Sequence, residues 1–535
     1  MRLTQLMDAV RDECPLRWMS PSPQGIDDIA LAGIWDDSRQ CVAGGMFVAV
    51  SGSTQDGRDY LEAARQSGAR VFVVADEADA RVDAAIRAGC HVLGASDIRE
   101  AHARLSFAWH GFPDRQLDLI GVTGTNGKTT TVGLVRQIAH GAGRRAAEIG
   151  TLGVARGLSP EREPLANTTP GPLQLAGILR GLVDEGFDTV AMEVSSHAIH
   201  QKRVAGMDFR VAVFTNLTQD HLDYHGTMEA YAAVKCGWVE HVAMHQKRCG
   251  TAVVNVDDTR GAEMAAFLRS SGAQVLTFST RRHVMPDLLA ERPKATARGM
   301  RAIWRLKRAL PTDLTIPLVG HFNVQNALAA AGACVAVGIG EGEALRELSF
   351  AAPPPGRFEA IDAGQPYVAL VDYAHTPDAL ENLLSNARQL VASPSEPADP
   401  ELPRREPSPR LLVLFGAGGN RDRTKRPLMG RIAAEMADVV ILTSDNPRHE
   451  APGQIVRDIL DGIGEESRSE ERLKIEVNRA AAIRLAVRMA RRGDVLVLAG
   501  KGAEDYQEIA GVRHPFDDRT ELRAAIAEYQ EELKR

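Results

Sequence analysis

Lys128 and Thr129 stand directly after a glycine-rich turn, a placement that suits phosphate chemistry. The stretch from Gly121 to Thr131 reads Gly-Val-Thr-Gly-Thr-Asn-Gly-Lys-Thr-Thr-Thr. Gly124 and Gly127 are its hinges, and they let backbone N–H groups along Gly124, Thr125, Asn126, Gly127 and Thr130 close around phosphate oxygens. A helix N-terminus adds partial positive charge there, Lys128 adds a full one, and the Thr129 hydroxyl sits where it would ligate Mg²⁺. The loop is a variant, because Val122 occupies the first glycine position of the usual signature. An ordinary glycine turn before a helix is the competing reading, and Lys-Thr directly after the last glycine argues against it.

Other candidate groups follow apolar runs. Glu193 lies near the end of the run Thr189–Val194, and a carboxylate at the end of a buried strand is a candidate Mg²⁺ ligand. A buried salt bridge is the alternative, but an apolar strand rarely buries a lone Glu without a task. Val211–Phe214 opens into a loop that holds Asp220, His221, Asp223 and His225, all possible metal ligands. Asn167-Thr168-Thr169-Pro170 is a further polar loop. Lys235, taken alone, reads as a solvated helix lysine. Asn323 and Asn326 suit helix capping and nucleotide contacts equally. Asp36 and Ser38, with Ser53-Thr54-Gln55, read as polar turns beside short strands, for which solvation is the plainer account.

These groups need elements to hold them. The apolar run Leu117–Val122 leads into the glycine loop as a buried strand, and Leu134, Val135, Ile138 and Ala139 recur after it at helical spacing. Residues 1–112 read as a small α/β domain and 113–350 as a central phosphate-loop domain with a mainly parallel sheet. Three consecutive prolines, Pro353 to Pro355, then make a stiff linker. Residues 351–535 alternate strand and helix in a Rossmann-like pattern, with strands expected at Tyr367–Val371, Leu411–Phe415, Val439–Thr443, Ile475–Val477 and Val495–Ala499. Polar or glycine-rich loops follow these strands at Asp372–Pro377, Gly416–Asp422, Ser444–Arg448 and Gly500–Asp505, and ligands of such sheets bind outside the carboxyl ends of the strands. The basic segment Arg281–Arg308 reads as edge strands on a solvated surface. The Pro-, Glu- and Ser-rich segment Ala392–Pro409 reads as a flexible insertion.

Composition bounds the function. A net charge of −7 over 535 residues does not favour general nucleic-acid binding. The six cysteines form no C-x-x-C pair, which fits a reducing compartment and neither a zinc site nor a disulfide framework. The first residues mix charges throughout, and no run approaches the roughly 18 apolar residues of a membrane span. The expectation is a soluble cytoplasmic protein with no nucleic-acid partner and no membrane insertion.

Taken together, the motifs resemble the Mur ligases, ATP-dependent enzymes that add amino acids to the peptidoglycan precursor, and most of all the branch that adds the third residue. The resemblance runs from about Asp36 to Thr520. It is carried by Gly-Thr-Asn-Gly-Lys-Thr at 124–129, Asn-Thr-Thr-Pro at 167–170, Glu-Val-Ser-Ser-His at 193–197, Asn-Leu-Thr-Gln-Asp-His-Leu-Asp-Tyr-His-Gly at 216–226 and Asp-Tyr-Ala-His-Thr-Pro at 372–377.

The resemblance implies a role for each motif. Asp36, Ser38, Ser53, Thr54 and Gln55 would hold the uridine end of the substrate. Asn167, Thr168, Thr169, Ser195, Gln201 and Arg203 would contact the UDP-muramoyl-dipeptide. Lys128, Glu193, His221 and Lys235 would be catalytic, with Thr129, Glu193, His221 and a CO₂-derived carbamate on Lys235 around Mg²⁺. Asn323, Asn326, Arg357, Asp372 and His375 would meet ATP. Asp445-Asn446-Pro447-Arg448 matches the loop of the branch that takes meso-2,6-diaminopimelate. Arg448 would pair with the distal carboxylate of that amino acid and Glu504 with its ammonium, while Arg421 and Gly500 match further contacts. Lysine would leave Arg448 unpaired, costing selectivity on the order of a few kcal/mol.

The implied reaction joins diaminopimelate to UDP-N-acetylmuramoyl-L-alanyl-D-glutamate through an acyl phosphate. An L-lysine-adding ligase, a folylpolyglutamate synthetase, a motor-type ATPase and a nucleotide-binding regulator without turnover are the alternatives. Two departures from the family pattern stand out: Ala503 replaces the usual His, and Cys236-Gly237-Trp238 follows Lys235.

Overall fold

The computed structural model describes residues 1–21, 29–52, 55–245, 250–282, 285–296, 299–307, 309–391 and 408–534. Ser53, Thr54 and most of the Ala392–Pro409 segment lie outside the described residues. The chain forms two compact units, Met1–Phe278 with Ala329–Ala344, and Ser279–Leu328 with Leu345–Arg535. Among the described residues, no helix is long and apolar enough to cross a membrane.

The first unit opens with a five-stranded sheet in the order Arg17–Trp18, His91–Ala95, Val71–Ala75, Met46–Val48, Ile34–Trp35. Met46, Val71, Val73 and Leu93 pack on one face with Leu3, Leu6 and Leu105, while Phe47, Phe72, Val74 and Val92 pack on the other with Leu61 and Ala64. Both faces are covered, so these strands read as continuous apolar runs.

The same unit carries a second sheet. Eight of its eleven strands run, in order, Gln274–Ser279, Thr251–Asn255, Val211–Phe214, Asp118–Thr123, Thr189–Glu193, Ala146–Gly150, Gly153–Arg156 and Arg162–Glu163. The first six pair in parallel and the last two are antiparallel. Register fixes what meets at the carboxyl edge: Val122 is opposite Glu193, and Thr123 is opposite Phe214. The chain leaves Asp118–Thr123 through helix Lys128–Gly141 and returns two strands away. The loops after Thr123, Glu193 and Phe214 are therefore neighbours at a topological switch point, where such sheets bind ligands.

The second unit has a six-stranded sheet in the order Glu359–Ala360, Val368–Asp372, Val495–Ala499, Leu411–Phe415, Val439–Leu442, Leu473–Ile475. All its pairings are parallel except that of Glu359–Ala360. Alternation assigns the faces. Leu411, Val413 and Phe415 meet helices Pro377–Val391, Lys425–Met436 and Pro452–Leu460; Leu412 and Leu414 meet Arg479–Met489 and Asp518–Lys534. This is the Rossmann-like layering expected from the sequence.

Arg281–Arg308 needs a correction. It does contain the strands Leu288–Thr296 and Gly299–Leu306, but they bury Leu288, Leu289, Ala290, Met300, Trp304 and Leu306. Among the described residues, Arg292, Lys294, Arg301 and Arg305 occupy outward positions of that alternation, so the strands are half core rather than a solvated surface.

Candidate active site

The glycine loop of the first unit has the strand–turn–helix setting that phosphate binding needs. Gly127, with φ of +86°, precedes helix Lys128–Gly141. Gly124 has φ of +145°, and a Cβ there would lie 1.9 Å from Thr215 Oγ1, so a side chain is excluded on two counts. The neighbouring loop braces the turn. Thr125 N donates to Asn216 O and Asn126 N to Asn216 Oδ1, both at 2.9 Å, and Thr215 Oγ1 donates to Asn126 O at 2.6 Å. Thr215 and Asn216 thus act as scaffold, a role their sequence did not announce. Lys128 Nζ folds back to donate to Gly124 O at 2.9 Å and to Thr125 O at 2.7 Å. Thr130 is buried in the first helical turn.

Glu193 is 1% exposed and accepts from three directions. Thr129 Oγ1 and Thr151 N donate to its Oε1 at 3.0 and 2.8 Å, and Thr151 Oγ1 donates to Oε2 at 3.3 Å. No arginine or lysine pairs with it in the ion pairs of the described residues, so the salt-bridge alternative fails. Thr151, absent from the sequence reading, lies 3.0 Å from Thr168 across their hydroxyls. Thr169 Oγ1 donates to Glu193 O at 2.8 Å, Ser195 N donates to Thr169 Oγ1 at 3.1 Å, and Arg203 reaches Thr169 O at 2.8 Å and Gln201 Oε1 at 2.7 Å. The residues expected on the muramoyl-dipeptide therefore form one connected set, with Asn167 exposed at its edge.

Lys235 overturns the solvated-helix expectation. It is 1% exposed, donates to Gly124 O at 2.7 Å and lies 4.8 Å from the Tyr231 ring centre. Burial, with Lys128 nearby, holds its amine well below the ordinary lysine range. His221, at φ of +53°, sits beside Asp220 and packs edge-on to His197 at 4.8 Å. Among the described residues, no three His, Cys, Asp or Glu side chains converge as a metal would require. Thr129 and Glu193, two of the expected ligands, are brought together. The oxygen donors present do fit a hard cation such as Mg²⁺.

In the first sheet, Ser38 is buried and Asp36 lies 3.5 Å from His102 Nε2, while Gln55 is exposed. Ser38 is thus less solvated than a plain polar turn would be.

The second unit gathers the loops of the six-stranded sheet. Asp372 accepts from Phe358 N at 2.7 Å and from Ala374 N at 2.8 Å, and burial raises its pKa while Arg357 opposes the rise. Arg357 lies 4.8 Å from the Tyr373 ring centre, with its Nε buried and lacking a hydrogen-bond partner. His375 Nδ1 is 2.9 Å from Tyr373 O. Asn323 and Asn326 spend amide groups locally: Asn323 Nδ2 donates to Val319 O at 2.8 Å and Asn326 Nδ2 to Asn323 Oδ1 at 3.0 Å. In these bonds neither side chain accepts a backbone N–H as a helix cap would, so they favour neither of the two equal readings.

Asp445 and Asn446 are buried beside Lys501, which is fully buried. Lys501 Nζ lies 3.7 Å from Asp445 Oδ1 and donates to Glu504 Oε2 at 3.1 Å and to Asn446 Oδ1 at 3.2 Å. Asn446 Nδ2 donates to the same Glu504 oxygen at 2.8 Å. Arg448 Nη1 donates to Gly419 O at 2.9 Å. Close approach explains the glycines: a Cβ on Gly419 would meet Pro447 O at 1.9 Å, and one on Gly500 would meet Asp445 Oδ2 at 2.9 Å. Arg421 is exposed at the rim. Ala503 does not disturb Glu504, whose N–H donates to Lys501 O at 2.9 Å. Fully buried Arg426 bonds Gly418 O at 3.1 Å, both Glu450 oxygens at 2.9 Å and Asp458 at 2.7 Å, tying two of these loops together from behind. Neither Lys501 nor Arg426 is marked by its local sequence, because Asp445 and Asn446 for the one, and Gly418, Glu450 and Asp458 for the other, lie far away in the chain or on other elements.

Comparison with known proteins agrees with this geometry. Family models match at residues 31–106 (Mur ligase family, catalytic domain), 122–334 (Mur ligase middle domain) and 356–502 (Mur ligase, glutamate ligase domain). The UDP-N-acetylmuramoyl-L-alanyl-D-glutamate–2,6-diaminopimelate ligase of Geobacillus kaustophilus is 43% identical over 92% of this chain and 94% of its own length. The enzyme of the same name from Bacillus licheniformis is 39% identical over 99% of this chain and 100% of its own. A solved structure bearing that name superposes with a TM-score of 0.66 at 32% identity, covering 95% of this chain and 97% of that one. A Mycobacterium tuberculosis folylpolyglutamate synthase, at 17% identity, TM-score 0.57 and coverage of 75% of this chain and 92% of that one, shares the fold. With near full-length relatives on one side and the braced glycine loop on the other, the chain belongs to the Mur ligase family.

Proposed function

We propose that this chain is an ATP-dependent, ADP-forming ligase that joins meso-2,6-diaminopimelate to UDP-N-acetylmuramoyl-L-alanyl-D-glutamate, a step of peptidoglycan precursor synthesis. The observation that carries the reading is one cluster of loops holding a braced guanidinium, Arg448, and a braced carboxylate, Glu504, both linked to the Asp445–Arg448 loop. Diaminopimelate presents the complementary pair, a distal carboxylate and a distal ammonium. Asp445, Asn446, Pro447, Gly500 and Arg421 would frame that pair.

The chemistry follows from the groups. A free carboxylate is a poor electrophile. An oxygen of the D-glutamyl side carboxylate attacks the γ-phosphorus of ATP, the bond to the β-phosphate oxygen breaks, and ADP leaves. The uncharged amine of diaminopimelate then attacks the acyl carbon, loses a proton, and expels inorganic phosphate as the amide forms. Lys128 and the N–H groups at the start of helix Lys128–Gly141 would balance charge as the phosphoryl group moves, while the N–H groups of Thr125 and Asn126 hold the loop to Asn216. No side chain is needed as a covalent nucleophile, so the protein's part is positioning and charge balance.

Thr129 and Glu193 would hold Mg²⁺, which when bound would offset phosphate charge. Lys235 would carry a carbamate, since burial lowers the pKa of its amine and so favours the uncharged form that can add CO₂, and His221 would complete the site. Asn167, Thr168, Thr169, Ser195, Gln201 and Arg203 would take the muramoyl-dipeptide, and Asp36 and Ser38 the uridine end. Arg357, Asp372, His375, Asn323 and Asn326 are proposed nucleotide contacts on the strength of their motifs. Domains at 1–112, 113–350 and 351–535, a monomeric state and a cytoplasmic location complete the reading.

The test is phosphate release with ATP, Mg²⁺ and the UDP-dipeptide, adding diaminopimelate or L-lysine in parallel. Release that requires diaminopimelate is the expected result. Release only with lysine would keep a ligase and overturn the amino-acid assignment.

A further inference from the structure

The strands Tyr506–Ile509 and Val512–Pro515 pair with each other in a two-stranded sheet of their own. Such a hairpin is marginal in water unless it packs on something. Here it packs on the loop that carries Arg448. Gln507 Nε2 donates to Asp445 O at 2.7 Å, and Glu508 N donates to Asn446 Oδ1 at 2.9 Å. Arg448 N donates to Glu508 O at 3.0 Å, and Ala510 N donates to Arg448 O at 2.7 Å. A Cβ on Gly511 would meet His449 Cε1 at 2.9 Å, so the loop and the hairpin tip are in close contact. The loop behaves as a third strand, joined by a parallel bridge between Arg448 and Ile509.

This bracing has a task. Arg448 has φ of +52°, a left-handed backbone that a non-glycine residue holds only when its surroundings impose it. Two contacts then fix its guanidinium. Glu508 Oε2 lies 3.3 Å from Nε, and Gly419 O accepts from Nη1. Both partners of the ion pair are about four-fifths buried, at 19% and 20% side-chain exposure, so the attraction is less screened than at an open surface. A planar guanidinium anchored at two nitrogens can offer its remaining N–H edge in one direction only, as bidentate carboxylate recognition requires.

We propose that Glu508 is a positioning residue for amino-acid selection: it orients Arg448 toward the distal carboxylate of the incoming amino acid, and the hairpin Tyr506–Pro515 carries it. The inference rests on the ligase reading above, which assigns that carboxylate to Arg448.

The experiment uses the full-length chain and initial rates of phosphate release, with Glu508→Ala, Glu508→Gln, Arg448→Ala and the double variant Glu508→Ala/Arg448→Ala. Glu508→Ala is expected to raise KM for diaminopimelate by about tenfold, the equivalent of one charge-assisted contact, with kcat and the KM values for ATP and the UDP-dipeptide changed by less than about twofold. Glu508→Gln, which keeps a polar group of the same size beside Nε without the charge, is expected to recover part of the loss. In the Arg448→Ala background, Glu508→Ala should change KM for diaminopimelate by less than about twofold, because no guanidinium is left to orient. An unchanged KM in Glu508→Ala would overturn the proposal. So would an equal rise in both backgrounds, or a rise in KM for ATP as well, since either marks a merely structural role. A wild-type chain that releases no phosphate with diaminopimelate would instead refute the ligase reading itself.

Discussion

Gly150→Ala is a change of one methyl group that should cripple catalysis without unfolding the chain. Gly150 ends the strand Ala146–Gly150 and does not have the left-handed backbone that would bar alanine. Its Cβ, however, would lie 2.3 Å from Glu193 Oε1, whereas ordinary contact begins at 3.4 Å. The carboxylate must therefore retreat by about 1 Å, the difference between those two distances. That movement breaks or stretches the bonds from Thr129 Oγ1 and Thr151 N, now 3.0 and 2.8 Å. A misplacement of about 1 Å in a positioning group costs roughly 100-fold in rate. Hydrogen bonds to a charged group contribute about 1.5–3 kcal/mol each, so losing one gives a similar figure, about 10–150-fold. The assay is kcat for phosphate release, with a thermal melt as the control for folding. We expect a fall of about 100-fold in kcat, with KM for diaminopimelate nearly unchanged because that pocket belongs to the other unit. A folded Gly150→Ala variant with wild-type kcat would refute the placement of Glu193 in the catalytic machinery.

Further outcomes follow from the same geometry. Arg448→Lys keeps a charge but loses the planar fork, so kcat/KM for diaminopimelate should fall by about 10–150-fold in steady-state assays, the value of one charged hydrogen bond. Arg479 and Asp518 form a fully buried pair at 2.6 Å, and Asp518→Asn should lower unfolding free energy by about 3–5 kcal/mol in urea titrations, because it leaves Arg479 uncompensated. Burial raises the Asp114 carboxyl to about 6, partly opposed by the backbone N–H of Asp208 and by Arg115. An acid with a raised folded pKa binds more protons folded than unfolded, so its contribution is favourable below the unfolded value of 3.8 and is lost as pH rises through about 6. Asp114→Asn should therefore be more stable than the wild type at pH 7.5, by on the order of 1–3 kcal/mol, with the difference shrinking toward pH 5; an unchanged pH profile of the melt would count against this.

Local patterns carried most of the site into view. The glycine loop needs its residue types within one turn, so Gly124, Gly127, Lys128 and Thr129 could be read directly. Strand ends were legible because apolar runs such as Leu411–Phe415 and Val495–Ala499 stop at polar loops. Lys235 was not legible from its own surroundings. Its burial depends on Gly124 O, more than a hundred positions away. Thr151 and Arg426 are hidden for the same reason, since their partners lie far away in the chain, and Lys501 is hidden in part, since Asp445 and Asn446 lie on another loop. The hairpin Tyr506–Pro515 gives no apolar alternation to read, because Val512–Pro515 is exposed throughout. In Gly299–Leu306 the signal was present and outweighed: Met300, Ala302, Trp304 and Leu306 alternate with outward residues, yet the local basic charge suggested surface.

The most direct measurement of the central claim is isotope transfer. The UDP-dipeptide is labelled with ¹⁸O in the D-glutamyl side carboxylate and turned over with ATP, Mg²⁺ and diaminopimelate, and the released phosphate is weighed by mass spectrometry. Activation through an acyl phosphate predicts that each phosphate released carries one oxygen from the carboxylate and that each accompanies one new amide. Unlabelled phosphate, or labelled phosphate released without diaminopimelate being joined, would contradict the account.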